Sequence, residues 1–263
     1  LMITADVGRL HRAKEMDLLQ PVESAVLTDR LSARLRDPEN HWFALTKRAR
    51  IVAYHRERAD RSILSTYAAL AGPGFADTIA VRSSGNVYNQ SLLASIVAHN
   101  GEDAARDWAV GVVANMAREP QGGDRDQLRA IAAGEADYAI VNTYYVGQML
   151  TSSDPQDRAV AEQIGVFFPN QDGRGAHVNI SGAGVTRVAD NVDGAIRLIE
   201  FMLSDDSQRQ FAQANYEYPA VDGIAAAPEI AAWGDLKEDA LPLTRIGELN
   251  DTAVRIFDEV GWQ

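Results

Sequence analysis

Apolar residues along this 263-residue chain fall into two alternating rhythms: short β-rich runs, and stretches with the 3.6-residue spacing of an amphipathic helix. The β-rich runs predict strands at roughly 1–5, 50–55, 78–83, 138–142, 164–168 and 176–185. Leu92, Ser95 and Ile96 share a helical face and predict a helix over 91–99 that stops near Gly101. Leu128, Ile131 and Ala132 do the same for 124–133, with Gly134 suited to the left-handed residue just past its end. Ile196, Ile199 and Leu203, at i, i+3 and i+7, predict a helix over 193–203, and Ser204 is placed to cap a following helix through 214. Pro219, Pro228 and Pro242 make 216–250 a looser wrapping section before a last helix at 251–260. Strands alternating with helices indicate an α/β architecture.

Composition narrows the chemistry. A hydrophobic fraction of 46% supports a sizeable core, in one large domain or two lobes. Cysteine is absent, which excludes thiolate sites, iron–sulfur clusters and disulfides and leaves oxygen and nitrogen as donors. With 37 acidic against 25 basic residues the net charge is −12, which argues against sequence-independent binding of nucleic acid. No apolar stretch reaches the roughly 18–20 residues that span a bilayer. The chain starts at Leu1, not Met, directly in a strand-like run; the expectation is an N-terminally incomplete chain, so a missing signal peptide carries no information.

The candidate chemistry lies where strands end. Tyr144 and Tyr145 follow the predicted strand 138–142 and precede a helix, and Tyr88 lies in the polar run 83–90. Ligands of open α/β sheets sit beyond the carboxyl ends of strands. Neighbouring side chains on a strand point to opposite faces, whereas on a first helical turn they lie about 100° apart and can converge. A neutral phenol has little affinity for a metal, but a strongly Lewis-acidic ion displaces its proton and leaves a hard anionic oxygen; ferric iron fits best. The run 83–91 opens a helix whose free N–H groups attract an anion, with Arg82 able to assist. An isolated Tyr-Tyr pair is a weak signal, more simply read as two half-buried aromatics at a helix start.

Other features are weaker. Residues 170–175 resemble the start of a calcium loop, but Arg174 occupies a ligand position and Ser181 stands where a glutamate is required, so the run reads as a turn. Lys47, Arg48, Arg50, Arg56 and Arg58 read as a solvated basic rim. His11, His41, His55, His99 and His177 show no zinc-type spacing. Asp205 and Asp206 suit the positive end of a helix dipole without catalytic work. Nucleophile-elbow, phosphate-loop and dinucleotide fingerprints are missing.

Taken in order, the runs 5–10, 36–38, 41–50, 82–91, 142–145, 167–171, 177–184 and 215–219 resemble the bacterial periplasmic ferric-ion-binding proteins, the transferrin-like FbpA/FutA type that feed iron ABC importers. The resemblance implies a type II periplasmic-binding-protein fold, two α/β lobes joined by crossing hinge strands. Residues 1–54 and 176–220 would form lobe one, 55–175 lobe two, and 221–263 a C-terminal wrapping segment and helix. It further implies a non-enzymatic, monomeric, periplasmic protein that captures Fe3+ with Tyr88, Tyr144 and Tyr145, with a synergistic anion such as carbonate, and delivers it to an ABC permease in the inner membrane. The family's first strand and helix, with a His-Tyr loop that adds a ligand, are expected to be absent from this chain. Gln148 stands where some relatives carry an arginine. The alternatives are a same-fold protein for a polyamine, an oxyanion or thiamine, and a hydrolase using paired carboxylates.

Overall fold

The computed structural model describes all 263 residues as twelve α-helices around one mixed sheet. Strand β1 (Met2–Ala5) leads into α1 (Val7–Glu15), β2 (Leu19–Gln20) and α2 (Ala25–Arg30), and then the 13-residue β3 (Phe43–His55). After β4 (Ile79–Ala80) come α3 (Val87–Asn100), α4 (Glu102–Ala114), α5 (Asp124–Ala133), β5 (Tyr138–Asn142), α6 (Thr143–Leu150), α7 (Pro155–Glu162) and β6 (Ile164–Phe167). The chain returns through β7 (Val178–Thr186), α8 (Val192–Met202), α9 (Asp205–Asn215) and β8 (Tyr218–Pro219), and ends in α10 (Pro228–Ala231), α11 (Leu243–Glu248) and α12 (Asn250–Val260). No helix is long and apolar enough to cross a membrane.

The sheet runs β1-β7-β3-β5-β4, with β2 beside β7 and with β6 and β8 on β3. Only β4 and β5 are parallel. The long strand β3 works in two halves. From Phe43 to Ala49 it pairs with β7, and from Arg50 to Tyr54 with β5, so it crosses between two sections of sheet at Ala49–Arg50. The returning chain reaches the same place, where the Arg50 N–H donates to the His177 carbonyl at 3.0 Å.

Both faces of the β3–β5 ladder are covered. Val52, Tyr54, Tyr138 and Ile140 join a core of 44 buried residues that includes Leu92, Leu93 and Trp108 of α3 and α4. Ile51, Ala53, Ala139 and Val141 point the other way, into a core of 17 with Leu128, Ile131, Val146 and Met149 of α5 and α6. A strand apolar on both faces belongs at the centre of a three-layer packing.

The predicted helices sit within a few residues of their observed positions. Gly134 is left-handed (φ 81°) after α5, and the Ser204 side chain caps α9. Strand 50–55 is the second half of a longer element, and 78–83 contracts to Ile79–Ala80. The basic rim needs correction. Arg56 and Arg58 are exposed, but Arg48 and Arg50 are 1% exposed, because β3 is an internal strand and its alternate side chains point inward to buried carboxylates. Residues 170–175 form a turn tied by the Asn170 carbonyl, which accepts from the N–H groups of Gly173 and Gly175.

Candidate metal centre

Two helix N-termini aim their first turns at the same spot. Helix α3 starts because the Asn86 side chain accepts from the Tyr88 N–H at 3.0 Å, which satisfies one of the free donors of the first turn. That puts Tyr88 at the second position of α3, four residues earlier than apolar spacing alone suggests. Helix α6 follows β5 without a connecting loop, so Tyr144 and Tyr145 are its second and third residues. The Tyr144 hydroxyl donates to the Tyr88 hydroxyl at 3.2 Å, and the rings of Tyr144 and Tyr145 stack with centroids 4.2 Å apart. All three tyrosines are half-buried. The positive ends of both helix dipoles face this point and favour negative charge there, by roughly 0.3–1 kcal/mol each.

Three guanidinium groups surround the Tyr88 ring, those of Arg48, Arg82 and Arg50, at 5.2, 5.5 and 5.9 Å from its centre. Asp124, fully buried, holds two of them: Arg50 at 2.7 Å and Arg82 at 3.2 Å. The same carboxylate accepts from the Asn142 N–H at 2.7 Å, so it also pins the strand end from which α6 departs. Asn89, one residue past Tyr88, accepts from Arg50 at 2.7 Å and donates to the Arg82 carbonyl at 2.9 Å. Arg48 lies further toward β7, 3.7 Å from buried Asp6 and 4.0 Å from Glu217. Its Nε and Nη2, with the Nε of Arg82, are buried without a hydrogen-bond partner. Burial raises the carboxyls of both Asp6 and Glu217 above their usual range, with Arg48 opposing the rise.

Two of the phenols, Tyr144 and Tyr145, are hard to ionise. Burial holds Tyr144 far above the ordinary phenol range, and the neighbouring hydroxyls of Tyr88 and Tyr145 add to it. Tyr145 is raised by burial and by the Asp124 charge, while its hydrogen bond with Tyr144 and the guanidinium of Arg82 pull the other way. Without a strong cation Tyr144 and Tyr145 therefore stay as neutral hydroxyls near the guanidinium groups of Arg48, Arg50 and Arg82.

The chain matches the family described as bacterial extracellular solute-binding protein over residues 2–235. It is a member of that family. Among relatives of this solute-binding protein, iron uptake protein A1 of Synechocystis is 45% identical over 263 residues, covering 100% of the chain and 73% of the relative. Among solved structures, apo FutA2 from Synechocystis superposes with a TM-score of 0.95 at 47% identity, over 99% of this chain and 84% of that one. Trichodesmium FutA in complex with iron and citrate gives 0.97 at 44% identity, over 99% and 83%. The solute-binding fold is thus the FbpA/FutA type.

The arrangement brings Tyr88, Tyr144, Tyr145 and Arg82 together. Sequence reading missed Arg48, Arg50, Asn89 and Asp124. For the two arginines a signal existed, since i and i+2 on a strand share one face. Asp124 gave none, being 74 residues from Arg50. Gln148, a turn beyond the tandem pair, accepts from Arg125 at 2.8 Å and donates to the Asn215 carbonyl at 3.4 Å, joining α5 and α6 to the end of α9. The His55 ring accepts from the N–H groups of Glu57 and Arg58, His41 pairs with Asp37 and His99 with Asp239.

Proposed function

We propose that this protein captures ferric iron in the cleft between two lobes, with Tyr88, Tyr144 and Tyr145 as phenolate ligands, and hands it to a membrane permease. The observation that carries the reading is the meeting of hydroxyls from two separate helix starts, Tyr144 to Tyr88 at 3.2 Å, with Tyr145 stacked alongside. An ordinary aromatic pair at a helix start does not recruit a third phenol from a helix 56 residues away. The arginines fit the same role, because each phenolate formed on iron binding gains a nearby positive charge. The names of the relatives, iron uptake and iron-bound structures among them, point the same way.

The lobes in this reading are 1–54 with 176–220 and 55–175, with 221–263 wrapping over them. Support comes from β3, which changes partners from β7 to β5 at Ala49–Arg50. Closure at that crossing would bury the metal, and a permease that prefers one lobe arrangement would release it. The periplasm is the compartment in which a protein of this extracellular family would meet such a permease, and the protein works there as a monomeric carrier, not as an enzyme. The nitrogens of Arg48 and Arg82 that lack a hydrogen-bond partner suit an oxyanion such as carbonate completing the coordination.

The test is a titration of iron-free protein with ferric citrate, followed in the visible range. Phenolate-to-iron charge transfer should colour the protein and saturate at one iron per chain. A solution that stays colourless, or a colour retained when Tyr88, Tyr144 and Tyr145 are all Phe, rejects the proposal.

A further inference from the structure

A cavity of about 360 Å³ lies behind the crossing strands, floored by Tyr67, Ile96 and Trp108 and rimmed by Asn100, Asn170 and Arg174. It shares no lining residue with the tyrosine cleft. The floor presents carbon, because its own polar atoms are already engaged. The Trp108 indole N–H donates to the Tyr67 carbonyl at 2.7 Å. The Tyr67 hydroxyl donates to the Arg50 carbonyl and accepts from the His177 N–H at 3.1 Å, so this wall is tied to the place where β3 and β7 part.

The rim carries the opposite character, an excess of donors. The Asn100 side-chain Oδ1 accepts from Arg174 Nη1 at 2.9 Å, and the Asn170 side-chain Oδ1 accepts from the Tyr67 N–H at 3.2 Å. Both amides have thereby used their acceptor and keep NH2 groups free. Arg174 has its Nε buried without a hydrogen-bond partner, and only a 3.6 Å approach to Asp239. That carboxylate is occupied elsewhere, by the His99 ring at 2.8 Å and the Leu241 N–H at 3.0 Å. A guanidinium and two amide donors above an apolar floor form a binding surface for a ligand that is all acceptor at one end and hydrocarbon at the other.

We propose that this cavity is a second binding site, for a small monocarboxylate with an apolar tail. The carboxylate meets Arg174, Asn100 and Asn170, and the tail lies on Trp108 and Ile96. The site is independent of the iron reading.

Hexanoate is the probe, with hexanamide as its uncharged counterpart, titrated calorimetrically into the full chain. Hexanoate should bind, and hexanamide at least about tenfold more weakly. Arg174→Gln should weaken hexanoate about tenfold by removing the charged donor. Ala104→Phe, at an exposed rim position of α4, should abolish binding by filling the cavity. Both variants should melt like the parent, and Tyr144→Phe should bind hexanoate unchanged. The proposal falls if hexanoate fails to bind at tens of millimolar, if hexanamide binds as well, if either cavity variant binds undiminished, or if Tyr144→Phe removes the binding.

Discussion

Replacing Tyr144 by Phe tests the chemistry of the cleft through protons. Each tyrosine that binds iron as a phenolate gives up one proton, and burial keeps the Tyr144 hydroxyl neutral until the metal arrives. Three such ligands make iron binding release about three protons, so affinity rises about a thousandfold per pH unit; with Tyr144→Phe the release falls to about two and the slope to about a hundredfold. The fold should hardly notice. The change deletes one hydroxyl whose bond to Tyr88 is worth about 1 kcal/mol net, and Phe retains the ring stacked on Tyr145. For a chain of this size that is roughly 2–4 °C in melting temperature. The assay is competition with citrate between pH 5.5 and 7.5, with citrate's own protonation subtracted, supported by calorimetry in two buffers of different ionisation enthalpy. Equal proton release by parent and variant would refute the reasoning, since Tyr144 would then not ionise on binding.

Three further outcomes follow from particular contacts. Asp124→Asn leaves Arg50 and Arg82 without their buried counter-charge, and should cost about 3–5 kcal/mol in urea unfolding. Gly147→Val drives a Cβ to within 2.8 Å of the Tyr216 Cβ and 2.9 Å of Ile230, so α6 must lift from the wrapping segment, with a loss of about 1–3 kcal/mol and weaker iron binding. His177 is pushed down to about 3 by burial and then by Arg50 and Arg48, so the folded chain keeps it neutral. Because the unfolded chain protonates it near pH 6.5, its contribution is full above that pH and disappears as pH falls toward 3, a loss on the order of a few kcal/mol. His177→Gln should flatten that part of the stability profile, as followed by urea unfolding from pH 7 to 4.

The tyrosine pair was legible because β5 ends and α6 begins without a connection, so the end of the predicted strand marks the first helical turn. Tyr88 was legible as a candidate, but its helix reads shorter in sequence, because Asn86, Asn89 and Gln90 look like loop residues until their capping bond and their bonds with Arg50 and the Ser84 carbonyl are seen. Helix α1 hides behind Gly8, Arg9, Arg12 and Lys14, whose low apolar content masks a face of Val7, Leu10 and Ala13. Its start is fixed by Asp6, held at a positive φ by bonds from Gly8, Ser91 and Asn179. The two buried arginines of β3 read as a rim because charge on an acidic chain ordinarily belongs in water. What buries them is a set of acids at positions 6, 124 and 217, a juxtaposition that only the topology creates.

The buried arginines also bear on how, in the proposed reading, an acidic protein selects its metal. A net charge of −12 draws cations toward the surface in general, with no preference among them. Inside the cleft the surroundings differ, since three guanidinium groups ring Tyr88, two of them sharing the single buried carboxylate of Asp124. Calcium or magnesium would meet neutral hydroxyls beneath positive charge, and neither ion is acidic enough to ionise a phenol raised as Tyr144 is. A trivalent ion can do so, and in the proposed site its binding would convert the cleft: three phenolates would balance its charge, and the arginines that repelled the free cation would then stabilise the ligands. Selectivity in this reading comes from the cost of ionising the phenols, and the same cost makes acid, which restores the hydroxyls, the natural means of release.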